Sequence, residues 1–220
     1  MLNKFKIFII TVTFFFSSSS LINAKNFPLG YPECWKDSKN PIVLNPKSTN
    51  QFCPLNSKLG HKFFLVDFTS PLKLAQVDWI KGRIFGDTLV KTTPPYHKIS
   101  YMKIDDTPPQ SQVISYSKCR AKTGDKSKFD GEETNSGCEG GKQIKEVFDA
   151  WKVLNAKFEN NFIKANKIEG KQSLIFEYFF HVLREAKVDF TSDYPERELF
   201  IVSDLMQYSK RFSFYNHCKT

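Results

Sequence analysis

Apolar and polar positions along this chain alternate between two patterns. The run Phe63-Phe64-Leu65-Val66 inside His61 to Asp67 is continuously apolar, as expected of a strand covered on both faces of a sheet. Ser70-Pro71 then marks a helix start, since serine caps free backbone N–H groups and proline suits the first turn. Leu74, Val77, Ile80 and Ile84 keep helical spacing down to about Val90, and Thr92 to Pro95 break it. His97 to Ile104 alternates as a second strand, and Val113 to Ser117 reads as a third, short one. Cys119 to Gly141 is polar and glycine-rich, a long excursion.

Beyond it, Ile144, Val147, Phe148, Trp151, Leu154, Phe158 and Phe162 trace one face of a long helix. Ser173 to Ala186 predicts a second helix, apolar nearly all round and hence deeply buried, and Leu199 to Val202 a last buried strand closed by Ser203-Asp204. Strands alternating with helices imply an α/β fold, a Rossmann-like and largely parallel sheet flanked by helices. Ligands of such sheets gather at the carboxyl ends of the strands. Asp67 and Asp204 both stand at such ends.

The N-terminus adds a compartment. Lys4 and Lys6, the apolar run Ile7 to Phe16, and the small polar stretch Ser17 to Ala24 follow the order of a secretory signal, with cleavage after Ala24. The apolar run is too short to span a bilayer, which needs roughly 20 residues, so membrane attachment is expected only if the signal stays uncleaved. The chain thus divides into a signal peptide (1–24), an irregular extension (25–60) and a domain (61–220). The expected location is exported, periplasmic or extracellular. Loss of Lys4 and Lys6 lowers the net charge from +9 to +7. The remaining lysines are scattered and no nucleic-acid motif accompanies them, so nucleic acid is not an expected partner.

Five cysteines in an oxidising compartment imply disulfides. Short loops suggest Cys34–Cys53 and Cys119–Cys138, leaving Cys218 free, while five cysteines permit other pairings among which sequence does not choose. Zinc is disfavoured, because no two cysteines stand at Cys-x-x-Cys spacing. No Gly-x-Ser-x-Gly elbow and no His-Glu-x-x-His is present. The Asp125 to Gly137 stretch fails as a calcium loop, with Phe129 and Asp130 where a ligand and the turn glycine belong. His181, on an apolar helix, reads as a core histidine.

Asp67-Phe68-Thr69-Ser70 places a carboxylate and two hydroxyls on a strand-to-helix turn, a donor set for a hard cation. Ser173 is a further hydroxyl and Asp204 a second carboxylate. The segments Phe64 to Leu72, Gln172 to Ile175 and Leu199 to Gln207 resemble three loops of von Willebrand factor A domains, among them uncharacterised secreted bacterial members. The similarity runs from about residue 61 to 215. It implies an α/β domain that binds protein partners, performs no catalysis, and carries a metal-ion-dependent adhesion site. Taken residue by residue, Asp67 matches the first acid, Thr69 the first hydroxyl, Ser173 the later hydroxyl and Asp204 the last acid. The third position of the first motif falls on Pro71, which has no hydroxyl; Ser70, one place early, is the substitute. The expected ion is Mg²⁺, with Mn²⁺ or Ca²⁺ as alternatives. Such domains usually continue with another strand and helix, so a short or truncated member is expected here.

Two rival readings stand beside this one. The first is a metal-free envelope scaffold that binds polyanions. The second is a phosphatase-like hydrolase using Asp67 as nucleophile, although the second acid such a loop needs is replaced by Thr69. Ser209 to Tyr215 reads as aromatic packing under a loop, with Arg211, Phe212 and Phe214 as an alternative binding rim.

Overall fold

A computed structural model describes residues 12–15, 42–45, 47–123, 141–164, 172–185 and 188–204. The leader apart from Val12–Phe15, Cys34, Cys138, Cys218, the Asp125 to Gly137 stretch and Ser209 to Tyr215 lie outside the described residues.

The continuous apolar run becomes the centre of the sheet. Strand β2 (Gly60–Asp67) is buried along its whole length except at Asp67. It is paired in parallel on one side with β3 (Lys98–Ile104) and on the other with β5 (Glu196–Val202). Strand β4 (Tyr116–Cys119) runs antiparallel to β3. It starts some three residues later than Val113, which is 79% exposed. The central strands β5, β2 and β3 are parallel, in keeping with a largely parallel sheet, and β4 makes the sheet mixed. The β3–β4 connection holds only a 3-10 turn (Pro109–Ser111) and lacks a full helical crossover, so the chain reverses direction. Val12–Phe15, inside the segment read as leader, forms β1 antiparallel to β5, giving the order β1-β5-β2-β3-β4. The β5 residues in this pairing begin Glu196-Arg197-Glu198, charges typical of a strand that otherwise ends a sheet.

Alternation along the strands builds two cores. Phe64, Val66, Ile99, Tyr101 and Val202 face α1 (Leu74–Ile84), α2 (Gly86–Thr92) and α3 (Gly141–Lys164), with Ile80, Leu89, Trp151 and Phe162 buried among them. Phe63, Leu65, Met102, Ile104, Leu199 and Ile201 face α4 (Ile175–Arg184). Helices thus cover both faces, as the alternation of strands and helices implies.

Three helix expectations need correction. The first helix begins at Leu74, not at Ser70-Pro71: Lys73 is its N-cap, and its backbone N–H donates to the Gln76 side chain at 2.7 Å. It does not run unbroken to Val90. Phe85 turns extended (φ −126°, ψ −178°) and Gly86 takes φ +58°, a conformation only glycine adopts without strain. The break lets the Phe85 ring stack on Tyr101 at 4.8 Å in the core. Finally, α4 is not buried all round. Ile175, Tyr178 and Val182 form its one buried stripe, while Phe176, Phe180 and Leu183 are 45%, 47% and 38% exposed, with Arg184 over the Phe180 ring. A single sheet face covers only one side of a helix, whatever the residues on the other.

The disulfide expectation is also overturned. Cys53 bonds Cys119, in place of Cys34–Cys53 and Cys119–Cys138. Residues 42–54 fold back on themselves through the Ile42–Pro54 bridge and the Val43–Cys53 and Phe52–Val43 backbone bonds. The Cys119 N–H then donates to Gln51 O at 2.9 Å, which lays this fold-back along the end of β4. Proximity across the fold, not along the chain, brings the sulfurs together. The described part of the 25–60 extension accordingly joins the core, through Phe52 and Cys53. The disulfide accords with an oxidising, exported compartment, and no helix among the described residues is long and apolar enough to cross a membrane.

Candidate functional site

Strand alternation explains what meets at the carboxyl edge. Asp67 has the parity of Phe63 and Leu65, so its side chain belongs to the α4 side of the sheet. The parallel register pairs Val66 with Val202, placing Ser203 beside Asp67 with the parity of Leu199 and Ile201. Ser173 lies just before α4, on that same side. Three chain segments therefore deliver side chains to one point.

The Asp67 carboxylate receives four hydrogen bonds there. Its Oδ1 accepts from the Thr69 backbone N–H at 2.9 Å and from Thr69 Oγ1 at 2.6 Å. Its Oδ2 accepts from Ser173 Oγ at 3.1 Å and Ser203 Oγ at 2.7 Å. Thr69, Ser173 and Ser203 are each buried, while Asp67 is half-buried. Ser173 does not cap α4: the N-cap is Leu174, and the serine hydroxyl turns to the carboxylate. Ser70 is exposed and, with Pro71, lines an adjoining cleft of about 230 Å³. Leu72, Lys73, Gln76, Ile80 and Val202 form its remaining wall, and Asp67, Thr69, Ser203 and the exposed Asp204 complete it. The two acids singled out from sequence thus share one cleft.

A hydroxyl that has given its proton to a carboxylate keeps only acceptor character. The three hydroxyl oxygens form an all-oxygen donor set backed by one negative charge. Among the described residues no three His, Cys, Asp or Glu side chains cluster as a metal site. A cation at this edge would rest on hydroxyl oxygens, with carboxylate support from Asp67 and Asp204, and on water. That set fits Mg²⁺, which keeps several waters and takes few carboxylates.

The Asp-x-Thr turn by itself does not mark the site. Asp105, at the end of β3, repeats it: its Oδ1 accepts from the Thr107 N–H at 2.9 Å and from Thr107 Oγ1 at 2.5 Å. Its other contacts come from Gln112 Nε2 and Tyr178 OH, which brace the connection against α4. What sets Asp67 apart is the pair of serines from distant segments. Ser203 was not among the candidates from sequence. Its neighbour Asp204 drew attention to the place, but only the β2–β5 register gives Ser203 its role.

A second polar cluster occupies the opposite end of the sheet. His61 is bonded to Ser100 Oγ at 2.8 Å and to Asp189 O at 3.1 Å, and Ser100 to Ser117 at 2.9 Å. Burial, reinforced by the charge of Lys98, lowers the His61 pKa to about 3. Lys98 Nζ pairs with Asp189 at 2.5 Å and donates to Asn50 at 2.8 Å. Burial would raise the Asp189 carboxyl, but bonds from Lys98, Lys58 and Tyr194 outweigh it and hold it at about 2. Ser100 is fully buried and His61 and Lys98 nearly so, which makes this a structural network. His181 is half-buried on α4.

No protein-family model, no curated protein and no solved structure matches this chain.

Proposed function

We propose that the chain is an exported binding domain of the von Willebrand factor A type, which holds a divalent cation at the Asp67–Thr69–Ser173–Asp204 edge and through it an acidic group of a protein partner. One observation carries the reading: hydroxyls from separate segments converge on a single carboxylate where two parallel strands end. Charge supports the second half. A divalent ion backed directly by the Asp67 carboxylate alone keeps a local positive excess, and an anionic side chain from outside neutralises it. Mg²⁺ is the favoured ion, with Mn²⁺ and Ca²⁺ as alternatives. Catalysis is not part of this reading. Both oxygens of the Asp67 carboxylate are already engaged, by four donors, which suits a carboxylate that orients ligands around it.

Titration calorimetry of the chain with Mg²⁺, Mn²⁺ and Ca²⁺ tests it. Binding of one ion, lost in Asp67→Ala with the circular-dichroism spectrum retained, is the expected result. Absence of binding for all three ions would remove the cation from the scheme and leave the metal-free scaffold, recognised by salt-sensitive, chelator-insensitive binding to polyanions.

A further inference from the structure

Pro71 stands where the resembled motif carries its second loop hydroxyl, and Ser70, the neighbour in sequence, is exposed on the cleft wall. Ser203 is placed otherwise. It is 7% exposed, lies beside Asp67 in the β2–β5 register, and donates at 2.7 Å to the same Oδ2 that receives Ser173. We infer that Ser203 supplies, from the end of β5, the hydroxyl oxygen that Pro71 cannot, so that the cation ligands are Thr69, Ser173 and Ser203, with Ser70 outside the set. The assignment rests on the cation reading above.

Physical reasoning favours Ser203 over Ser70 on two counts. The Ser203 hydroxyl is already turned to Asp67 before any ion arrives, so little side-chain freedom is lost on binding. Its proton is directed at the carboxylate, so its oxygen acts only as an acceptor, the character a cation ligand needs. An exposed serine on a loop carries neither advantage.

The test uses the full chain, with Mn²⁺ as the probe ion and calorimetry as the first readout. Ser203→Thr keeps the hydroxyl and Ser203→Val removes it from nearly the same shape. Ser203→Val is expected to weaken Mn²⁺ binding by about tenfold or more, with Ser203→Thr within a few-fold of the parent and Ser70→Ala unchanged. The Mn²⁺-induced rise in Tm is the second readout, since a purely structural role for Ser203 lowers the metal-free Tm without shrinking that rise. Unimpaired Mn²⁺ binding by Ser203→Val would overturn the assignment. Loss of binding in Ser70→Ala would overturn it too, while leaving the cation reading intact. Failure of the parent chain to bind Mn²⁺ would end both.

Discussion

Removing the Cys53–Cys119 bond has a cost that the structure allows to be worked out. The crosslink spans 66 residues of sequence and closes a loop that contains β2, α1, α2 and β3. Chain-entropy reasoning assigns a closed loop of that size about 4 kcal/mol of stabilisation, by limiting what the unfolded chain explores. Both cysteines lie in the core that contains Trp151, which is 1% exposed, so indole fluorescence reports directly on the region affected. The Cys53→Ala/Cys119→Ala double variant, unfolded in urea alongside the parent, is expected to lose about 4 kcal/mol by linear extrapolation. Its slope should rise, because an uncrosslinked denatured chain exposes more surface. A loss below about 1 kcal/mol would refute the loop argument. Disulfide mapping that joins Cys53 to Cys34 would refute the pairing itself.

Two further perturbations follow from the opposite end of the sheet. A β-carbon at Gly60 would fall 2.2 Å from His97 Nδ1, and His97 is itself buried, so Gly60→Ala is expected to cost about 1–3 kcal/mol in denaturant titration. A parent-like midpoint would show that the His97 ring can move aside. Stability should also fall in mild acid. Burial lowers His61 from 6.5 to about 3 and His97 to about 4, the latter helped by the charge of Lys62. The unfolded chain takes up these protons first, so this stability is complete above pH 6.5 and is lost as pH falls toward 4 and below. Each histidine contributes a slope of about 1.4 kcal/mol per pH unit in that window. A Tm unchanged between pH 7 and pH 4.5 would contradict it.

Much of the fold is legible in the residues alone, for a local reason. Phe63 to Val66 is apolar on successive positions, as a strand covered on both faces requires, and Ile144 to Phe162 repeats at helical spacing. Both elements stand where those patterns put them. The carboxyl-edge acids Asp67 and Asp204 are legible too, since Asp67 closes one such apolar strand and Asp204 comes two residues after the other. Tertiary structure decided the rest. Whether an apolar helix face is covered depends on what the sheet offers, and α4 shows Phe176 and Phe180 to solvent. The partner of Cys53 depends on where residues 42–54 fold back, not on the nearest cysteine in sequence. Ser203 gains its place from the register of two strands more than a hundred residues apart in sequence, and that register is settled only when their buried faces meet in the assembled sheet.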